Sequence, residues 1–135
     1  MNTPPVDGHA DIISRVLTEN VPVVFACLVG SRAQGKARPD SGWDIAVCSD
    51  PHIGPWARHV GLCGLQGEIA FALKVSAVDL IDLHSAGLAM RLEVASRGWL
   101  LKQDKGSEFN RFLVRVWREQ EDIAYDNALG ARLAA

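Results

Sequence analysis

Three cysteines in 135 residues, with no Cys-x-x-Cys pair among them, leave no disulfide framework and no cysteine-rich metal module. Two of them, Cys27 and Cys48, lie in apolar runs, where a free thiol behaves as a small hydrophobe. All three, Cys63 included, are expected to be reduced core thiols of a cytoplasmic protein. Basic charge is not in surplus either: 14 Lys and Arg stand against 16 Asp and Glu, a net charge of −2. Binding along a nucleic-acid backbone needs many cations on phosphates, so no direct nucleic-acid partner is expected. The longest apolar stretch, residues 21–30, falls far short of the roughly 20 residues that span a bilayer. The opening MNTPPVDGHAD has no charged segment leading into an apolar one, so neither a secretory leader nor a membrane anchor is expected.

What is present is ordinary globular composition, 48% hydrophobic and 22% charged, in a chain long enough to bury its own core. A single domain over residues 1–135 is the expectation.

The periodicity alternates between helix and strand. Ile12, Ile13, Val16 and Leu17 predict a first helix over 7–20 with Asp7 as N-cap, stopped by Asn20 and Pro22. Val23 to Val29 is an unbroken apolar run, suited to a strand covered on both faces. Trp43 to Cys48 predicts a second strand, and Trp56 to Leu73 a helix. Gly61, Gly64 and Gly67 weaken that helix by about 1 kcal/mol each against alanine, and their spacing suggests close packing on a sheet. A third strand is expected over Ser76 to Leu83, a helix over Ser85 to Ser96, and a short edge strand over Trp99 to Lys102. From Phe109 onward, apolar residues three or four apart predict an amphipathic C-terminal helix of roughly twenty residues. The order is that of a mixed α/β fold: a short mixed sheet backed by helices.

One segment concentrates chemistry. A strand ends in Gly30-Ser31, and the chain must turn sharply there. Glycine permits the backbone angles of such a turn and the close approach of a ligand. Exposed N–H groups at the following helical turn form a nest for anionic oxygens, with the Ser31 hydroxyl, Arg32 and Lys36 at hand. Asp44 opens the next strand, with position 42 on the same side. Asp79, in the third strand, supplies a further carboxylate. Carboxylates beside a phosphate nest suit hard cations and phosphoryl or nucleotidyl transfer.

This pattern, VGSRAQGKARPDSGWDIAV followed by VDLIDL, resembles the nucleotidyltransferase superfamily to which DNA polymerase beta belongs, whose signature is Gly-Ser, ten residues, then Asp-x-Asp. More closely it resembles the minimal nucleotidyltransferases, the antitoxins encoded beside HEPN-domain toxins. Gly30-Ser31, the ten residues 32–41 and position 42 reproduce the spacing. One departure falls on the chemistry: the family's first aspartate is Gly42 here. The resemblance implies the nucleotidyltransferase fold and a protein adenylyltransferase. It would move AMP from ATP, with Mg²⁺, to a tyrosine hydroxyl of a cognate HEPN ribonuclease toxin, in a hetero-oligomer with that toxin. It assigns Gly30, Ser31 and Arg32 to the nucleotide, Asp44 and Asp79 to the metal and to catalysis, and Gly42 to the place of the lost carboxylate. With one ligand gone, transfer should be slowed by orders of magnitude. The other implied reading is a pseudoenzyme that neutralises its toxin by binding alone.

Other polar residues carry plainer expectations. Asp82 falls on the opposite strand face from Asp79 and suits a helix-cap or surface role, as Ser85 suits a cap; His84 could line the pocket. His9, His52 and His59 show no metal-ligand spacing. Arg111, Arg115 and Arg118 line the last helix near Glu119, Glu121 and Asp122, the pattern of a solvated face with local ion pairs.

Overall fold

The computed structural model describes residues 8–20, 22–103 and 106–134. The expected cap at Asp7 lies outside them. The elements are α1 (Gly8–Thr18), β1 (Val23–Val29), α2 (Gly30–Ala33), β2 (Trp43–Ser49), α3 (Pro55–Leu73), β3 (Val78–Asp82), α4 (Leu88–Arg97), β4 (Trp99–Lys102) and α5 (Glu108–Ala134). The four strands form one mixed sheet in the order β3-β2-β1-β4. β1 runs antiparallel to β2 and β4, while β2 and β3 are parallel and joined by α3.

β1 is central, which explains its unbroken apolar sequence. Its alternate residues enter two separate cores. Val23, Ala26 and Leu28 meet Ile13 and Leu17 of α1 and Leu65, Ile69 and Leu73 of α3 on one face. Phe25, Cys27 and Val29 meet Val94 of α4 and Phe112 and Val116 of α5 on the other. Helices therefore cover both faces, and the sheet's open ends are left for chemistry.

Several expectations are corrected. Gly61, Gly64 and Gly67 do not pack on the sheet: all three are exposed, and a Cβ built on any of them meets nothing within 4 Å. The buried side of α3 is instead the Leu65–Ile69–Leu73 face. Of the thiols, Cys27 is buried and Cys48 half-buried, but Cys63 is exposed on α3. Burial pushes the Cys27 thiol up to about 12 and that of Cys48 up to about 11, so neither ionises readily.

The fourth helix begins at Leu88, not Ser85, and its N-cap is Gly87 with no side-chain cap. Asp82 holds the chain in a turn before it, accepting the His84 amide at 3.0 Å and the Ser85 hydroxyl at 3.0 Å. Asp82 also takes Arg58 of α3 at 2.8 Å. Burial works to raise its pKa, but these hydrogen bonds and the Arg58 charge overcome that and hold the carboxyl below the usual range. The last helix is 27 residues long rather than twenty. Its buried residues end at Val116, and the later turns are exposed.

Candidate active site

The site forms where β1 ends, at the edge shared with the start of β2 and β3. Val29 pairs with Asp44 across the antiparallel ladder, so the chain leaving β1 passes directly over that aspartate. The passage is made by Gly30, at φ +76°. A Cβ there would lie 2.6 Å from Asp44 Oδ2, so any side chain would displace the carboxylate. Gly30 is thus required twice, once by its backbone angle and once by the carboxylate beneath it. Ser31 follows in the single turn of α2, half-buried at the rim. The turn closes through Gln34 N–H to the Gly30 carbonyl at 3.2 Å and Lys36 N–H to the Ser31 carbonyl at 3.0 Å.

Asp44 pairs with Asp79 in the parallel ladder between β2 and β3. Burial, and then the negative charge of Asp79, push the Asp44 carboxyl above the ordinary carboxylate range. Gly42, Trp43, Asp44, Ala77, Val78 and Asp79 line an open cleft of about 210 Å³. The Trp43 amide donates to the Ala77 carbonyl at 2.8 Å, fastening the start of β2 to the residue before β3.

Gly42 differs in kind from Gly30. Its φ lies outside the left-handed region, and a Cβ there would meet Ala77 O at 3.4 Å and Ala77 Cβ at 3.6 Å, ordinary contact distances. Nothing in the backbone or the packing asks for glycine, and a side chain at 42 would line the same cleft as Asp44 and Asp79.

Arg32 is placed differently from the sequence expectation. Its guanidinium lies 4.4 Å over the Trp43 ring and donates to the carbonyls of Ser41, at 2.8 Å, and Pro39, at 3.5 Å. Through Nη2 it clamps the 34–42 loop. The physical reason is the short tether: from α2 the side chain reaches back over the strand its own loop enters. Ser41 completes the clamp by accepting the Arg38 amide at 2.8 Å, and Trp99 Nε1 of β4 donates to the Ala33 carbonyl at 2.7 Å. Neither Trp43 as a platform nor Trp99 as a tie could be found from sequence, because both depend on the sheet order.

His84 does not line this cleft. Its Nε2 sits 2.7 Å from the Ser49 carbonyl, beside a separate cavity shared with Cys48, Arg91 and Arg115. Arg91 there is paired with Glu119, and Arg111 with Glu108. Arg111 thus finds its acid at Glu108 rather than among residues 119–122, and Glu119 pairs across to α4 instead of along its own helix.

Among the described residues no three His, Cys, Asp or Glu side chains gather as a metal site. Asp44 and Asp79 make a two-carboxylate set, and a cation would relieve the repulsion between them. Mg²⁺ is commonly held by one or two carboxylates with substrate phosphates completing the shell, so these residues fit that ion.

Residues 11–106 match the family described as polymerase beta, nucleotidyltransferase. The chain belongs to that family. This nucleotidyltransferase is 29% identical over 127 residues to the protein adenylyltransferase MntA of Aphanizomenon flos-aquae (strain 2012/KM1/D3), covering 89% of this chain and 83% of that protein. Solved structures agree. A toxin–antitoxin crystal structure with AMP-PNP superposes at TM-score 0.70 with 26% identity, over 93% of this chain and 98% of that one. The tri-AMPylated Shewanella oneidensis HEPN toxin in complex with its MNT antitoxin gives TM-score 0.65 and 25% identity, over 94% of this chain and 97% of that one. The four-stranded mixed sheet with its helices is thus the nucleotidyltransferase fold. No described helix of this nucleotidyltransferase is long and apolar enough to cross a membrane.

Proposed function

We propose that this nucleotidyltransferase is a cytoplasmic antitoxin that transfers AMP from ATP to a tyrosine hydroxyl of a cognate HEPN ribonuclease toxin, with transfer slowed by Gly42. The observation that carries the reading is Asp44, cradled under Gly30 and paired in register with Asp79, in a chain resembling MntA along most of its length. Gly30 and Ser31 present backbone N–H groups and a hydroxyl to the ATP phosphates. Asp44 and Asp79 would hold Mg²⁺, which when bound would neutralise charge on the phosphates. The acceptor oxygen attacks the α-phosphorus, forming the new P–O bond as the bond to pyrophosphate breaks. Asp79, the more exposed acid at the cleft, faces the acceptor and takes its proton. Arg32 keeps the loop that carries Gly42 in place instead of touching the nucleotide.

The absent carboxylate at 42 removes charge from the place where the transition state needs it, and preorganised electrostatics of this kind often dominate catalysis. The experiment pairs α-labelled ATP and Mg²⁺ with the toxin encoded beside this chain. Label should appear weakly or not at all with the parent and strongly with Gly42→Asp. If Gly42→Asp adds no label, the metal-ligand assignment is wrong.

A second reading is favoured by the freedom of position 42 itself. Because nothing structural demands glycine there, its presence is consistent with an antitoxin that silences the toxin by binding and has no need of transfer. Neutralisation that survives Asp44→Asn and the removal of ATP would select this reading.

A further inference from the structure

Among the described residues the outer face of α3 has no partner from another element, and its composition is not that of a solvated surface. Trp56 is 76% exposed, Val60 51% and Phe71 87%. At 100° per residue these three fall on one stripe with Cys63, Gly64 and Gly67, all exposed, and none of the six is charged. Single exposed apolar residues need no explanation, but an aligned set with two bare aromatics does. The glycines sharpen the question. Each weakens the helix by about 1 kcal/mol, and the structure offers no reason inside the chain for Gly64 or Gly67: no positive φ and no neighbour. What a glycine on a helix face provides is room for another backbone.

The stripe is also symmetric about its middle. Positions 56, 60, 63, 64, 67 and 71 are separated by 4, 3, 1, 3 and 4 residues, the same in either direction. An antiparallel copy of the helix, related by a two-fold axis at Cys63–Gly64, therefore sets Trp56 against Phe71, Val60 against Gly67 and Cys63 against Gly64. Large side chains then meet small ones in the middle, and aromatics meet aromatics at both ends. A two-fold interface requires such self-complementarity. With two bare aromatics per copy, the area removed from water is on the order of 1,000 Å² in total, at the lower limit for a specific interface.

We propose that the outer face of α3 is a self-association surface, taken by the same face of a second copy of this chain in antiparallel orientation. The small area makes the dimer reversible, and Cys63, beside the axis and the one exposed cysteine, is its reporter. His59 Nε2 lies 3.8 Å from Cys63 Sγ and leaves the thiol on the surface.

The full chain, free of other proteins, is examined by sedimentation velocity from about 1 to 100 µM, the range over which weak interfaces of this size assemble. The expected result is a concentration-dependent rise from the monomer mass to twice that mass, and a short bis-maleimide joining two copies through Cys63. Val60→Glu, at an exposed position, should hold the chain monomeric with its thermal melt unchanged and lose the cross-link. Cys63→Ser should lose the cross-link but keep the mass. A parent that stays monomeric across the range overturns the proposal. So does a parent dimer that Val60→Glu leaves intact, since the contact is then elsewhere. If the parent is monomeric and Val60→Glu instead abolishes capture of the toxin, the face belongs to the toxin and the self-association proposal fails. The test contains no nucleotide, so its outcome is independent of the proposed transfer activity.

Discussion

Two turns border the cleft, and each contains a glycine. At the end of β1, Gly30 has a positive φ and stands where a Cβ would strike Asp44 Oδ2 at 2.6 Å. At the start of β2, Gly42 has an unexceptional backbone and room for a side chain against Ala77. The same residue type is obligatory in one turn and optional in the other. The first glycine is held by its backbone and by the carboxylate beneath it, whereas the second is held by neither, and sequence spacing alone does not reveal that difference in kind.

The comparison can be broken most directly at position 42. Gly42→Asp is expected to fold as the parent does and to raise label transfer to the toxin by on the order of 10²–10³-fold, as restoring a preorganised charge in an active site does. Asp44→Asn added to it should return transfer to the parent level. Unchanged transfer in the labelling assay would make position 42 as irrelevant to chemistry as it is to the backbone.

Gly30→Ala tests the other turn. The left-handed conformation alone costs roughly 1–2 kcal/mol for a side chain, and the contact with Asp44 adds to it. Thermal melting should therefore fall by several degrees, about what a loss of 2 kcal/mol gives in a domain of this size. A melt within a degree of the parent would mean that the turn relaxes and Gly30 is no more constrained than Gly42.

Arg32→Lys probes what separates the two turns. Lysine cannot both lie over Trp43 and bridge the Pro39 and Ser41 carbonyls, so a loss of about 1–2 kcal/mol is expected in urea unfolding. In the Gly42→Asp background this change should lower transfer with little change in the KM for ATP, because the clamp touches the loop and not the nucleotide. A selective rise in that KM would return Arg32 to the phosphates.

Gly61→Ala supplies a third kind of glycine, exposed, helical and off the α3 stripe. Gaining helix propensity without losing a contact, it should stabilise by up to about 1 kcal/mol in the same measurement.

The smallest effect concerns pH. A carboxyl held above its ordinary pKa in the folded chain favours folding when protonated, and that contribution is lost as pH rises through the shifted value. Without divalent ions, Asp44→Asn should therefore melt slightly above the parent at neutral pH, with the difference vanishing on acidification below about pH 4. Added Mg²⁺ should raise the parent's melt and leave that of Asp44→Asn almost unmoved.

Three of the strands were more legible than most helix ends, whereas β3 is shorter than expected, Val78–Asp82 rather than 76–83. The β1 run and the short β4 coincide with their sequence expectations, and β2 extends one residue further, to Ser49. These segments are bounded by changes of hydrophobicity visible in the chain. The start of α4 was not visible, because Asp82 bonds the His84 amide and the Ser85 hydroxyl and holds a turn where helix propensity alone would begin one. The length of α5 was missed for a different reason. Apolar spacing marks only the part that meets the core, while the residues after Val116 stay helical through propensity without burial. Spacing drew attention to Gly30, Ser31, Asp44 and Asp79, and the fold sets Gly30 against Asp44 and Asp44 beside Asp79, but the direction taken by Arg32 was not visible in the sequence.

The order of elements, the apolar central strand and the sharp turn at Gly30-Ser31 are legible in the chain alone, because each is written in local composition and in spacing along one segment. Folding alone brings Asp44 beneath Gly30 and beside Asp79, turns Arg32 onto its own loop and faces the α3 glycines outward. Those are contacts between segments distant in the chain. They are set by strand register and by which helix face finds the core, and no single stretch of sequence carries that information.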